Sequence, residues 1–177
     1  MSLSRSKSQE APFTGPSWQR AAIYLAIALL VQNTVLHFFS WRDATISPVL
    51  VVVVWYAMRT DVRRGAILGL AAGFVEDMLG AGTGGAWTIA TTLTAIIASV
   101  VSRGFFEDSI PLVGGVVIFC TLVRNLIFWL VMQAQGFPPG LGWMHFHRSL
   151  WQAALNALFV VVAMVIARHR EHHGVMR

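Results

Sequence analysis

The stretch that decides the fold is Gly65–Gly85, GAILGLAAGFVEDMLGAGTGG. It is apolar enough to cross a bilayer, yet two adjacent carboxylates, Glu76 and Asp77, lie near its far end. Ionised side chains are costly in hydrocarbon and are expected to face partners there. The stretch therefore predicts a membrane helix with an acidic pair that other segments must satisfy.

The same stretch contains a helix-packing pattern. Its glycines recur every four residues, at Gly65, Gly69 and Gly73. With 3.6 residues per turn, this spacing places them on one face of a helix. A face of small residues lets another helix approach closely in a membrane. We predict that this face packs against a neighbouring helix.

The composition of the chain indicates a polytopic membrane protein. Of its 177 residues, 56% are hydrophobic and only 12% are charged, whereas a soluble domain is nearer half apolar and one quarter charged. The net charge is +5, but the basic residues fall at segment ends rather than in a stripe with aromatics. This pattern does not predict a nucleic-acid partner. The only cysteine, Cys120, lies in an apolar run and excludes an intrachain disulfide.

Six apolar segments are predicted to be helices, because a backbone in lipid must satisfy its own polar groups. They cover about residues 20–39, 47–58, 65–79, 86–101, 111–133 and 149–167. The second is shorter than the roughly 20 residues of a full span, so its length alone is also compatible with a buried or re-entrant segment. We predict an all-α, compact bundle of six transmembrane helices over residues 18–168. Residues 1–17 are predicted to be a disordered cytoplasmic tail, and residues 169–177 a second cytoplasmic tail.

The basic residues predict the orientation of these helices. With a cytoplasmic N-terminus, ten of the 13 arginines and lysines lie on the inside, two lie outside, and Arg124 lies within a span. An excess of basic residues in cytoplasmic loops is the usual bias. If the second segment did not cross, Arg59, Arg63 and Arg64 would move outside. The bias therefore favours six crossings with both termini in the cytoplasm, and the longest outer loop at residues 134–148.

In this topology the polar residues of the spans concentrate in their outer halves. The set consists of Gln32, Asn33, His37, Glu76, Asp77, Arg124, Asn125, Gln152 and Asn156. Two interpretations remain open. The polar side chains either reach headgroups and join helices by hydrogen bonds, or they form an outward-opening pocket in which Arg124 pairs with Glu76 or Asp77.

The residue pattern does not favour catalysis or metal binding. Glu76 and Asp77 are neighbours on one helix and point about 100° apart, so they cannot share a proton as a facing carboxylate pair does. His37, His145 and His147 are interpreted as interfacial residues rather than metal ligands. We predict no catalytic residue, no metal and no cofactor.

The second and third segments resemble the bacterial rod shape-determining protein MreD family. That family has a proline-initiated second span, followed by a segment with glycine at every fourth position, an aspartate and further glycines. The matching positions here are Pro48, Gly65, Gly69, Gly73, Asp77, Leu79 and Gly84 or Gly85. The chain departs from the pattern at Val49, where an acidic or amide residue is common, and at Glu76, an additional acid.

The resemblance implies a non-catalytic scaffold of the cell-elongation machinery in the bacterial inner membrane. Its implied partner is an MreC-like protein, and through it the MreB filament, the RodA glycosyltransferase and a class B penicillin-binding transpeptidase. The family is similar in fold to the S components of energy-coupling-factor transporters. The alternative function is therefore a substrate-binding membrane subunit of a vitamin-type transporter.

Overall fold

The structure, a computed structural model, describes residues 15–34, 44–80, 83–102, 109–138 and 142–174. These residues form helices and no β-strand, which confirms the all-helical prediction. The helices are α1 (Trp18–Thr34), α2 (Pro48–Met58), α3 (Val62–Leu79), α4 (Ala86–Val101), α5 (Ile110–Ala134) and α6 (Gly142–Gly174). Residues 1–14 of the predicted N-terminal tail and residues 35–39 of the first predicted segment lie outside the described residues.

Two helices of the described chain are long and apolar enough to cross a membrane. They are α5, over its full 25 residues, and the part of α6 from Gly142 to His169. This assignment rests on their length and apolar composition. The helices α2 and α4 are apolar but shorter.

The short, valine-rich helix α2 lies in the centre of the bundle. It contacts each of the other five helices, and Val49, Val53 and Val54 have no exposed surface. Valine is a poor helix former in isolation, so burial against the other helices stabilises this helical conformation. Pro48 occupies the first turn, where its missing N–H is no loss.

Side chains from other helices satisfy the free ends of α2. At its beginning, the backbone N–H of Ser47 donates to Asn156 Oδ1 over 2.7 Å. At its end, the hydroxyls of Ser99 and Ser102 donate to the carbonyls of Ala57 and Met58 over 2.9 and 3.2 Å. Helix ends leave backbone groups unsatisfied, and burial without partners is costly. These three bonds explain how an 11-residue helix tolerates its central position.

The glycine face of α3 packs directly on α4. A Cβ atom at Gly73 would lie 2.6 Å from the carbonyl oxygen of Trp87 and 2.7 Å from the Cα of Thr88. At Gly69 it would lie 2.7 Å from the Cβ of Ala95. Only glycine fits so close to a neighbouring backbone. The turn into α4 also requires glycine, because Gly84 and Gly85 have φ angles of +52° and +88°.

The start of the last helix differs from the prediction. Residues 142–148 are the first two turns of α6, and not part of a loop that ends at Arg148. Pro138, Pro139 and the glycines up to Gly142 are helix breakers, whereas the residues after Gly142 contain neither proline nor glycine until Gly174. The helix also continues beyond residue 168, to Gly174.

Candidate functional site

A polar cavity of about 400 Å³ lies at the end of the bundle where α1 and α3 end and α2, α4 and α6 begin. We call this the cavity end. Six of the predicted polar residues line the cavity: Gln32, Asn33, Glu76, Arg124, Asn125 and Gln152. They come from α1, α3, α5 and α6, so the fold brings together residues up to 120 positions apart.

The floor of the cavity is an ion pair between α5 and α3. A guanidinium nitrogen of Arg124 donates to the Oε2 atom of Glu76. The side chains of Arg124 and Glu76 are 2% and 8% exposed. A buried ion pair repays its desolvation only when further hydrogen bonds satisfy both groups. Of the two acids that the sequence offers as partners, the structure pairs Arg124 with Glu76, and not with Asp77.

Further bonds satisfy both members of this pair. Arg124 Nε donates to Thr91 Oγ1 over 3.0 Å, and Nη1 donates to Ser47 Oγ over 3.3 Å. The second carboxylate oxygen of Glu76 accepts from Gln32 Nε2 over 3.1 Å. The guanidinium also lies over the indole ring of Trp87, 4.4 Å from the ring centre, which adds a cation–π contact.

The hydrogen-bond network reaches all six helices. Beneath the ion pair, Asn156 of α6 is fully buried. It accepts from the backbone of Ser47 and donates to Thr121 Oγ1 on α5 over 3.2 Å. The members of the network, in helix order, are Gln32, Ser47, Glu76, Thr91, Arg124 with Thr121, and Asn156. Each side chain fixes a helix relative to its neighbours, so the network defines the arrangement of the cavity end.

Asp77 makes different contacts from its neighbour Glu76. Its carboxylate accepts the backbone N–H groups of Trp87 and Thr88 over 3.1 and 2.7 Å, and the hydroxyls of Thr83 and Thr88. Trp87 and Thr88 are the second and third residues of α4, whose N-cap residue is Gly85. Glycine has no side chain to satisfy these N–H groups. Asp77 therefore serves as the N-cap acceptor of α4, from the preceding helix.

The rim of the cavity is built by the beginning of α6. Asn125 Nδ2 donates to Gln152 Oε1 over 2.7 Å, and Gln152 Nε2 donates to the carbonyl of Thr45 over 3.1 Å. A ring nitrogen of His145 lies 3.0 Å from the carbonyl oxygen of Asn125. The rings of Trp87, Phe128 and His145 stack in succession along one wall.

The structure separates the predicted polar set into distinct groups. The carboxylate of Asp77 binds the beginning of α4, and Asn156 lies below the floor, so neither lines the cavity. His37 lies outside the described residues. The glycine face is occupied by α4 within this chain and is not an exposed surface.

Several residues of the site were not predicted. They are Ser47, Trp87, His145 and Arg148, together with the buried Thr121. Ser47 carried a usable signal, since serine before proline at a helix start is a typical N-cap. His145 and Arg148 were placed in a loop, because the beginning of α6 was predicted seven residues too late.

The described residues show no group of three or more histidines, cysteines, aspartates or glutamates that could hold a metal ion. Comparisons of this chain with protein-family models, with curated proteins and with solved structures find no match.

Proposed function

We propose that this chain is a non-catalytic scaffold of the bacterial cell-elongation machinery, of the MreD type. In this proposal it crosses the cytoplasmic membrane six times, has both termini in the cytoplasm and binds an MreC-like protein. Through that partner it would connect to the MreB filament, the RodA glycosyltransferase and a class B penicillin-binding transpeptidase.

One observation carries this proposal: the positions that resemble the MreD pattern form one structural unit. Pro48 begins α2, Gly69 and Gly73 let α3 approach α4, and Asp77 caps α4. In the sequence, Asp77 could suggest catalysis, but in the structure its carboxylate accepts hydrogen bonds from four donors. A motif devoted to helix packing supports a scaffold better than an enzyme.

The exposed surface of the bundle supports a membrane location. On α3, Leu70, Phe74 and Met78 are 51%, 57% and 72% exposed. Helix α6 shows a second apolar row, at Leu158, Val162, Val165 and Ile166. Soluble monomers rarely expose apolar patches of this extent, whereas lipid chains cover them without cost.

The arrangement of the helices supports six crossings. At the end opposite to the cavity, Arg59 lies in the turn between α2 and α3, and Arg63 and Arg64 lie in the first turn of α3. Arg20 and Arg168 lie at that same end, in the first turn of α1 and late in α6. Basic residues are enriched at cytoplasmic ends, so in this proposal the cavity opens toward the periplasm. The short α2 needs no lipid-facing length, because the other helices enclose it.

The test is co-expression with the MreC-like protein of the same organism, followed by purification through a tag on that partner. We expect the two chains to purify together from detergent extracts. We also expect the chain to restore rod shape in cells that lack their own MreD-type protein. Failure of the folded wild-type chain in both assays would contradict the proposal.

Because α4 covers the glycine face, the partner must bind elsewhere on the chain. Cys120 is the only cysteine and is fully buried, so a Cys120→Ala background suits cysteine cross-linking. Met78 and Trp143, 72% and 75% exposed, are positions for new cysteines near the cavity end. Leu158 and Ile166 serve as matched exposed positions on the middle and far part of α6.

The cavity favours a second candidate, the substrate-binding subunit of a vitamin-type transporter. Ligand pockets span about 300–1,000 Å³ and combine apolar walls with a few convergent polar groups, and a cavity of about 400 Å³ fits this description. A vitamin that raises the melting temperature of the purified protein in proportion to its binding would favour the transporter. Co-purification with the MreC-like protein in the absence of such a ligand would favour the scaffold.

A further inference from the structure

Among the described residues, one positive charge at the cavity has no partner. Its lining contains three charged side chains, Glu76, Arg124 and Arg148, of which the first two pair with each other. Arg148 is exposed at the rim on the second turn of α6. It makes no hydrogen bond or ion pair with any residue in the described part of the chain. With histidine counted as neutral, the described lining has a net charge of +1.

The single acid of the described lining has no free oxygen for a cation. Glu76 Oε1 accepts from Gln32, and Oε2 accepts from Arg124 and from Thr91 over 3.4 Å. A carboxylate that is bonded at both oxygens and neutralised by an arginine attracts a second cation only weakly. The electrostatics of the cavity therefore favour an anionic ligand.

The beginning of α2 strengthens this preference. Ser47, the N-cap residue of α2, lines the cavity. The N-terminus of a helix carries a partial positive charge that stabilises anions within the first turn. This helix has 11 residues, and the hydroxyl of its N-cap residue accepts a hydrogen bond from Arg124 over 3.3 Å. The N–H groups at this end are already bonded within the protein, so α2 contributes a partial positive charge and no free donor.

The size and walls of the cavity define the class of ligand. A volume of about 400 Å³ accommodates a headgroup-sized molecule rather than a whole lipid. Leu79, Phe128 and Ile46 supply apolar lining next to the polar groups, which suits a molecule with a short apolar portion beside its charge.

We propose that the cavity binds a small anionic group, a phosphate or carboxylate of headgroup size, with Arg148 as its pairing cation. The source is either a free anion in the periplasm or the headgroup of an anionic lipid in the outer leaflet. The periplasmic location rests on the orientation proposed above, whereas binding itself requires no protein partner.

The experiment measures binding of two probes to the purified full-length chain. The first is soluble glycerol phosphate, titrated calorimetrically in neutral detergent. The second is phosphatidylglycerol, measured by native mass spectrometry from nanodiscs and compared with phosphatidylcholine. The variants are Arg148→Gln and, as a matched control, Arg63→Gln, which changes an exposed arginine at the opposite end of the bundle.

We expect the wild-type chain to bind at least one probe and Arg148→Gln to weaken that binding by about tenfold, the effect of losing one charge-assisted hydrogen bond. Arg63→Gln is expected to leave the Kd unchanged. Binding of glycerol phosphate alone identifies a free anion, and binding of phosphatidylglycerol alone identifies a lipid. The proposal is overturned if the chain does not bind glycerol phosphate and does not prefer phosphatidylglycerol over phosphatidylcholine. It is also overturned if both variants weaken binding equally. The readout uses no MreC-like protein, so its failure leaves the scaffold proposal untouched.

Discussion

Arg124 of α5 and Glu76 of α3 are 48 residues apart in the chain, yet they form a buried ion pair at the floor of the cavity. Their positions in the bundle follow from helix packing, since α3 and α5 both contact α4 and α2. The pair connects two helices that share these neighbours. Its removal should loosen the cavity end of the bundle.

A double-mutant cycle measures the strength of this pair. We expect Arg124→Met or Glu76→Met alone to lower the free energy of unfolding by about 3–5 kcal/mol, because each leaves an uncompensated buried charge. The double variant should lose much less stability than the two single variants together, since it leaves no buried charge. Reversible unfolding in mixed detergent micelles measures these free energies. Strictly additive losses would show that the two side chains do not interact.

The N-cap role of Asp77 predicts a local effect at the start of α4. We expect Asp77→Ala to lower the free energy of unfolding by about 0.5–2 kcal/mol, the range of a lost helix cap. The amides of Trp87 and Thr88 should exchange hydrogen faster, because their acceptor is gone. Asp61→Ala is the control, since Asp61 caps the opposite end of α3 through Arg64. Unchanged exchange at Trp87 and Thr88 in Asp77→Ala would contradict the capping role.

The close approach of α3 and α4 predicts opposite effects for two glycine substitutions. Gly73→Ala places a methyl group against the backbone of Trp87 and Thr88 and should destabilise the protein by about 1–3 kcal/mol. Gly115→Ala meets no atom within 4 Å. It should leave stability unchanged or raise it by up to about 1 kcal/mol, since alanine favours helix. The melting temperatures of the two variants in detergent measure these effects. Equal losses in both variants would argue against the packed interface.

The proposed six crossings predict the location of two fused reporters. After Met58 only the cytoplasmic reporter should be active, and after Gln135 only the periplasmic one. The reason is that α2 and α5 would leave the membrane on opposite sides. Alkaline phosphatase and a cytoplasmic fluorescent protein, fused at both sites, give complementary readouts. A periplasmic signal after Met58 would exclude α2 as a crossing.

The helices themselves could be predicted well from the sequence. Apolar length and flanking polar residues located five of the helices to within about three residues at each described boundary, including the valine-rich α2. Glycine at every fourth position predicted a packing face, because helical periodicity alone puts Gly65, Gly69 and Gly73 on one side. The start of α6 was missed, since its first two turns are rich in aromatic and polar residues and resemble an interfacial loop.

The partners of the polar residues required the tertiary structure. Glu76 and Asp77 are adjacent, and the sequence offered either as the partner of Arg124. Their side chains leave the helix in directions about 100° apart, so packing decides which one faces α5 and which one faces α4. The sequence also contained no sign that Asn156 would satisfy the beginning of α2 from 109 residues away.

The stretch Gly65–Gly85 shows which features follow from the sequence and which depend on the tertiary structure. By itself the sequence determined a helix, a glycine face and the presence of two carboxylates that need partners, because these follow from local periodicity and from the cost of burying charge. Only the tertiary structure decided that α4 covers the glycine face, that Asp77 caps α4 and that Glu76 binds Arg124. Those assignments depend on how whole helices pack, and packing is a property of all six together.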